Sequence, residues 1–116
     1  MLRTILKSKI HRATVTEANL YYEGSITIDA RLMAAADILE YEKVEVLNLH
    51  NGSRIATYCI KGKPGSGVIC LNGPAARGAC SGDQVIIVSY VLLENKQAKS
   101  AKPKVIKVDA GNQIKD

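Results

Sequence analysis

Short runs of β-branched and aliphatic residues, each ended by a turn rich in Gly, Asn or Pro, constrain the fold of this chain most strongly. They recur along most of its 116 residues. Several strands of this length with such turns favour a closed or nearly closed barrel. The sequence therefore predicts a mostly β protein: a small barrel of six or seven strands with one clear helix and one or two helical turns. The predicted strands cover residues 1–15, 25–28, 44–49, 53–60, 68–71, 85–93 and 105–108.

Two of these stretches allow more specific predictions. Residues 85–93 are apolar almost throughout, so we expect a central strand that is covered on both faces. Asn51-Gly52 is the strongest short-range hairpin signal, and it joins residues 44–49 to the return strand over residues 53–60. Strand alternation gives the return strand two faces, with Arg54, Ala56 and Tyr58 on one and Ile55, Thr57 and Cys59 on the other.

One helix is predicted with its start and its packing face. Asp29 is a good N-cap, and residues 30–39 are rich in Ala, Leu and Met, which have high helix propensity. Residues at helical spacing define one face that we expect to pack against the barrel. That face consists of Leu32, Ala35, Ala36 and Leu39.

The net charge of +5 gives little support for nucleic-acid binding. Residues 95–116 hold six Lys and two Asp and carry +4 of this charge, whereas residues 1–94 carry +1. A Lys-rich tail is more typical of a solvated, partly disordered end than of a binding face, and the body lacks a basic stripe with interleaved aromatic residues. We therefore expect no nucleic-acid partner.

Several other classes are disfavoured. No stretch approaches the roughly 18 consecutive apolar residues of a membrane helix, and the N-terminus has no apolar region of signal-peptide length. Cys59, Cys70 and Cys80 are an odd number of cysteines at spacings of eleven and ten, which suits neither a disulfide framework nor a zinc site. We expect a cytoplasmic protein with no membrane partner and no metal.

The Gly24-Ser25 step has two interpretations. Ordinary turn chemistry explains most Gly-Ser dipeptides. The alternative is a peptide bond that the protein cleaves itself, with the Ser25 hydroxyl as nucleophile and with backbone strain at Gly24 to activate the carbonyl. Taken alone the stretch favours the turn, and only other parts of the chain can favour cleavage.

Five motifs in order resemble the bacterial aspartate 1-decarboxylase family, whose members depend on a pyruvoyl group and make β-alanine for pantothenate. These motifs are Lys9 with His11, residues 22–29, residues 51–54, Thr57-Tyr58 and residues 72–77. The resemblance runs from residue 1 to about residue 91, and the tail past residue 94 has no recognisable motif. It implies a double-psi β-barrel that assembles as a homotetramer.

The resemblance also implies how the reactive group arises. The Ser25 hydroxyl would attack the Gly24 carbonyl, with Thr57 as donor to the transient oxyanion, and elimination would leave residues 1–24 and 25–116. A covalently bound pyruvoyl group would then replace Ser25. It would decarboxylate L-aspartate through a Schiff base, because a carbanion next to nitrogen needs an electron sink that side chains do not offer. The sequence shows no lysine context or phosphate cup for pyridoxal phosphate.

The same resemblance assigns a substrate site. The expected substrate-binding residues are Lys9, Arg54, Thr57, Asn72, Gly73, Pro74 and Ala75. Arg54 and Lys9 would bind the two carboxylates of L-aspartate, with the assignment between them left open. Tyr58 would protonate the carbanion. Lys9 and Arg54 are far apart in sequence, and a subunit interface is one way to bring them together.

Other interpretations stay open at this point. A small basic β-barrel that binds nucleic acid or another protein would keep an intact chain, and so would an uncleaved decarboxylase precursor. The sequence also leaves open whether cleavage is autonomous or needs a maturation helper protein. We expect a single β-barrel domain over residues 1–94, catalytic if the resemblance holds, and a Lys-rich tail over residues 95–116 with an edge strand.

Overall fold

The computed structural model describes residues 1–115, which form eight strands, two short α-helices and one 3₁₀ helix. The strands are β1 (Leu2–Thr14), β2 (Glu17–Asn19), β3 (Ser25–Asp29), β4 (Lys43–Asn48), β5 (Arg54–Gly62), β6 (Ile69–Asn72), β7 (Gln84–Glu94) and β8 (Lys104–Lys107). The helices are α1 (Ala30–Ala35), α2 (Asn95–Ala98) and the 3₁₀ helix Gly73–Gly78. The predicted mostly β class is confirmed. The additional strand is β2, which pairs in parallel with β6.

All eight strands belong to one sheet in the order β2-β6-β3-β5-β4-β7-β1-β8. Within residues 1–115 the two edge strands, β2 and β8, do not pair with each other, so the ladder is not closed. The chain nevertheless joins both sides of the sheet, because only Val15 and Thr16 separate β1 from β2. Their amides donate to the carbonyls of Asp83 and Ile69 respectively, each at 2.8 Å. The sheet thus curls into a barrel-like shape.

Aliphatic side chains fill the inside of the curled sheet, as a sequence without Phe or Trp requires. The largest fully buried side chains are Ile10, Val15, Ile26, Ile28, Leu32, Met33, Val44, Val46, Ile69, Leu71, Val85 and Ile87. Ile26 and Ile28 belong to β3 and are completely buried. Ser25 therefore begins a strand whose following residues are fixed in the core.

Helix α1 begins where predicted but ends early. The Asp29 carboxylate accepts a hydrogen bond from the Arg31 amide at 2.8 Å, which is the expected N-cap. The helix ends at Ala35, and Asp37 takes a left-handed conformation with φ +56° that turns the chain away. Leu39 is consequently 71% exposed, so its assignment to the packing face is wrong.

Strand β7 is central in the sheet, but only its first half is covered as predicted. It pairs with β1 along most of its length, whereas its pairing with β4 ends at Val88. Beyond that residue β1 and β7 form a two-stranded ribbon on which Tyr90 is 41% and Leu92 is 61% exposed. The apolar run was misread because sequence does not show where the neighbouring strand stops.

The C-terminal segment contains the predicted edge strand, since β8 pairs in parallel with β1. Its lysine side chains are exposed, as expected for a solvated tail. Asn112, however, is only 1% exposed and anchors the segment to the barrel. Its side chain bonds the amide and carbonyl of Thr14 at 2.7 and 2.8 Å and the Gly67 carbonyl at 2.7 Å.

Within residues 1–115, no helix is long and apolar enough to cross a membrane.

Candidate active site

Asn72 places a side-chain donor on the Ser25 hydroxyl. The two residues lie opposite each other in the antiparallel pairing of β3 with β6, and each is 2% exposed. The Asn72 Nδ2 donates to Ser25 Oγ at 2.9 Å and to Thr27 Oγ1 at 3.0 Å. Asn72 Oδ1 accepts from Cys70 Sγ at 3.2 Å, so the amide has little freedom to rotate. Only the register of these strands joins residues that are 47 positions apart.

Gly73 packs its backbone directly against the loop that contains Gly24. A Cβ atom at Gly73 would lie 2.7 Å from the Tyr22 carbonyl oxygen and 2.9 Å from the Gly24 amide nitrogen. Gly73 also has φ +61°, which glycine tolerates best. Gly24 has no positive φ, so the left-handed backbone conformation lies at Gly73 and not at Gly24, where sequence led us to expect strain.

A cleft of about 430 Å³ opens beside Gly24. It exists because β3 pairs with β5 only from Ile26 and Cys59 onward, which leaves the start of β5 without a partner on that side. The volume is in the usual range for small-molecule sites. The residues that line the cleft are Gly24, Ile55, Ala56, Thr57, Tyr58, Pro74 and Ala75. Five of the predicted site residues thus meet in one cleft.

Tyr58 also borders a second cleft of about 330 Å³, whose lining includes Ser25. The other residues of this lining are Tyr22, Glu23, Glu40, Tyr41, Ile60 and Lys61. The phenol is 39% exposed. Tyr58 therefore stands between the two openings that flank the Gly24-Ser25 step.

Strand β5 alternates as predicted. The hairpin is confirmed, with Leu47 of β4 opposite Arg54 and with Gly52 at φ +73° in the turn. Arg54, Ala56 and Tyr58 are exposed, whereas Ile55 and Thr57 are half-buried and Cys59 is buried. Burial, more than the nearby Glu42 charge, raises the pKa of the Cys59 thiol to about 11, in keeping with a core cysteine.

Arg54 lies on the outer face of the sheet and does not line the cleft. Its Nη1 donates to Glu45 Oε1 at 2.8 Å. Its hydrogen bond to the Glu45 carboxylate and, secondarily, its contact with Tyr90 raise the pKa of Arg54. Sequence analysis missed Glu45, because only the pairing of β4 with β5 brings it beside Arg54.

Lys9 is on β1, three strands away from β5. Lys9 pairs with Val88, Val88 with Glu45 and Glu45 with Ala56, so these residues share the outer face. At ~4.8 Å per strand, Lys9 is about 14 Å from β5 along the sheet. A single chain therefore does not bring Lys9 into the cleft.

His11 lies at a β-bulge of β1, where Arg12 has φ +62°. Its Nδ1 is buried and has no hydrogen-bond partner among the described residues. Burial, followed by the charges of Lys9, Arg12 and Lys107, lowers the pKa of His11. Lys107 of β8 thus adds a positive charge beside His11. The sequence had predicted Lys107 as part of a solvated tail.

Residues 1–115 contain no group of His, Cys, Asp and Glu side chains arranged to hold a metal ion. The polar groups at the Gly24-Ser25 step are a serine, an amide, a threonine and a tyrosine. A small curled β-sheet with a buried, hydrogen-bonded serine beside an open cleft defines a candidate enzyme.

A model of the family described as aspartate decarboxylase matches residues 1–115. The chain is 61% identical over 115 residues to an aspartate 1-decarboxylase of Syntrophus aciditrophicus, covering 99% of both chains. It is 61% identical to one from Caldicellulosiruptor saccharolyticus, covering 98% of this chain and 89% of that one. It is 56% identical to one from Listeria monocytogenes, at 98% and 90% coverage. The chain belongs to the aspartate decarboxylase family.

Proposed function

We propose that this protein decarboxylates L-aspartate to β-alanine and carbon dioxide, with a pyruvoyl group made from Ser25. The observation that carries the proposal is the hydrogen bond from Asn72 Nδ2 to a buried Ser25 Oγ, directly beside the cleft at Gly24. Membership of the aspartate decarboxylase family supports it. The β-alanine would serve pantothenate synthesis.

Maturation begins with the Ser25 hydroxyl. Its oxygen bonds to the Gly24 carbonyl carbon, the Gly24-Ser25 C–N bond breaks, and the hydroxyl proton passes to the amine that is released. Solvent water then removes the Ser25 Cα proton, the Cα–Cβ double bond forms and the Cβ–Oγ bond breaks, which frees the Gly24 carboxylate and leaves dehydroalanine. Water converts this residue to a pyruvoyl group and releases ammonia. The cleft-facing Thr57 is the proposed donor to the oxyanion at Gly24.

The residues around Ser25 fit a carbonyl group at that position. Asn72 Nδ2 is a fixed donor that already points at the Ser25 oxygen, and it would hold a carbonyl oxygen there equally well. Because Gly73 lies so close to Gly24, the backbone at the start of the 3₁₀ helix contacts the loop that contains Gly24. The pyruvoyl carbonyl would supply the electron sink that decarboxylation needs.

Substrate binding and proton transfer are assigned to side chains of the cleft and of the outer face. Tyr58, at the boundary of both openings, would deliver the proton to the carbon that loses carbon dioxide. Asn72, Gly73, Pro74 and Ala75 would orient the reacting groups. Arg54 and Lys9 would each hold one substrate carboxylate.

A homotetramer accounts for the distance between Lys9 and the cleft. Because Lys9 lies about 14 Å from β5 in one chain, we propose that a neighbouring copy completes the set of cations. We place the enzyme in the cytoplasm and keep a maturation helper protein as a proposed partner. The Lys-rich tail is proposed to have no part in catalysis.

Denaturing mass spectrometry of the purified chain tests the proposal. We expect fragments of residues 1–24 and 25–116, release of carbon dioxide from L-aspartate, and loss of both in Ser25→Ala. Ser66→Ala is the matched control, because Ser66 also follows a glycine but lies exposed in the turn after β5, where its hydroxyl donates to the Lys63 carbonyl. An intact wild-type chain that binds nucleic acid in a salt-dependent way would instead favour the binding-module alternative.

A further inference from the structure

The Glu45–Arg54 pair is the only ion pair within residues 1–115 that involves a proposed substrate-binding residue. Arg54 Nη1 and Glu45 Oε1 are 2.8 Å apart, and the side chains are 56% and 27% exposed. Exposed pairs of this kind contribute little to the stability of a fold. The stability of the fold therefore does not account for this ion pair.

The two partners differ in how firmly the sheet holds them. Glu45 is on β4 and has strand partners on both sides, Ala56 of β5 and Val88 of β7. Arg54 is the first residue of β5 and has a strand partner only in β4. The carboxylate is therefore the fixed member, and the long arginine side chain is the member that it orients.

A groove of about 170 Å³ adjoins Glu45 and is bordered by Thr4, Lys43, Val44, Glu45, Val88 and Tyr90. The carboxylate and the Tyr90 hydroxyl thus lie on the same outer face as Arg54. A guanidinium has five N–H donors, and Glu45 engages only Nη1. Beside the secondary contact with Tyr90, the guanidinium keeps N–H donors for a second carboxylate.

We propose that Glu45 is a positioning residue that holds the Arg54 guanidinium in the orientation in which it receives a carboxylate of L-aspartate. The inference rests on the proposed role of Arg54 as a substrate clamp. Glu45 has two opposing effects on the substrate. Its oxygen orients the guanidinium, while its negative charge repels the arriving carboxylate.

Two variants of equal charge separate these effects. Glu45→Gln keeps an acceptor oxygen at the same reach, whereas Glu45→Thr favours the strand but is too short to reach Arg54. We expect the KM for L-aspartate to be about fivefold higher in Glu45→Thr than in Glu45→Gln, because an unheld arginine must be ordered on binding. Relative to wild type, Glu45→Gln lowers KM by about threefold, since the repulsion is lost.

The measurement uses the cleaved enzyme, with kcat normalised to the cleaved fraction found by mass spectrometry. We expect kcat and the extent of cleavage to be the same in all three proteins, because both effects of Glu45 concern the binding of the substrate and neither concerns the reacting atoms. Glu17→Gln is the control for removing a negative charge, since Glu17 is exposed on the edge strand β2, four strands away from β4. If Glu45→Thr fails to cleave, Glu45→Ala provides the same comparison.

Equal KM values in Glu45→Gln and Glu45→Thr would overturn the inference, as would a loss confined to kcat. Arg54→Ala separates this failure from failure of the proposed function. A raised KM in Arg54→Ala together with equal KM values in the Glu45 variants would refute the role of Glu45 alone. An unchanged KM in Arg54→Ala would refute the clamp itself.

Discussion

Single atoms decide how the Gly24-Ser25 step is held. The Asn72 amide fixes the Ser25 oxygen from one side, and the bare Cα of Gly73 lets the 3₁₀ helix approach the loop from the other. Neither contact needs a charged group. The proposed chemistry therefore depends on the exact positions of neutral donors and of backbone, which single substitutions can test.

Replacing Gly73 with Ala should slow cleavage at Gly24. The new methyl group would lie 2.7 Å from the Tyr22 carbonyl oxygen, and an alanine at φ +61° adds ~1 kcal/mol of strain. Gly52→Ala is a matched control, because Gly52 has φ +73° but no atom within 4 Å of an added Cβ. The rate of appearance of residues 25–116 by mass spectrometry reports the effect. Equal rates in both variants would show that the close contact is irrelevant to cleavage.

Tyr58→Phe should separate maturation from turnover. The phenol lies at the cleft but makes no hydrogen bond to Ser25 or Asn72, so we expect cleavage to continue. Loss of a general acid should lower kcat by about 10²- to 10⁴-fold. Carbon dioxide release from L-aspartate, per cleaved chain, measures this. Wild-type turnover in the variant would remove Tyr58 from the proposed mechanism.

At the scale of the elements, the cleft at Gly24 lies where the pairing between strands stops. Strand β3 reaches β5 only from Ile26 onward, and the unpaired start of β5 forms one wall of the cleft. The far end of β3 is held by Asp29, which caps α1 and also binds the turn over residues 63–67. One carboxylate therefore ties together a strand, a helix and a turn.

We expect Asp29→Asn to destabilise the fold by about 2 kcal/mol at pH 7. An NH2 group, which donates, would replace a carboxylate oxygen that accepts hydrogen bonds from backbone amides. Burial would raise the pKa of Asp29, but hydrogen bonds from the amides of Gly67, Arg31 and Gly65 outweigh it and lower the pKa. A lowered pKa means that the carboxylate stabilises the fold above its unfolded pKa. This contribution is lost as the pH falls through the lower, folded value.

Thermal denaturation between pH 7 and pH 3 tests this. The gap in Tm between wild type and Asp29→Asn should narrow as the pH approaches 3. Asp109→Asn is the control, since Asp109 also accepts from two amides, but in an exposed turn. A gap that stays constant with pH would contradict a role for the ionised Asp29.

At the scale of the whole molecule, the exposed apolar surface offers a place for the proposed assembly. The β1–β7 ribbon extends past β4 and presents Leu2, Tyr90 and Leu92, which are 57%, 41% and 61% exposed. Lys9 lies on the same outer face but away from the cleft. Both features fit a protein whose site is completed by a neighbouring copy.

Leu92→Asp should therefore weaken the proposed homotetramer, because a charge would replace an apolar side chain at the proposed interface. Leu39→Asp is the control, as Leu39 is equally apolar and 71% exposed but lies in the loop after α1. Sedimentation velocity at several concentrations measures the assembly. A fully tetrameric Leu92→Asp protein would exclude the ribbon as the interface.

The sequence alone predicted much of this protein. Strand alternation, the Asn51-Gly52 turn and the Asp29 cap are local patterns, and local physics enforces them in the structure. Thr57, Tyr58 and the turn that begins at Gly73 were identified through a resemblance carried by motifs in order. Their meeting in one cleft with Gly24 agrees with that expectation of proximity, while their roles stay predictions.

Only the tertiary structure decided the contacts between distant residues. The Asn72–Ser25 bond, the Glu45–Arg54 pair and the place of Lys107 beside His11 all depend on strand register, which local sequence does not encode. The same holds for the early end of α1 and the uncovered half of β7. The Gly24-Ser25 step looks like an ordinary turn in sequence, and the fold surrounds it with an amide, a close backbone and a cleft.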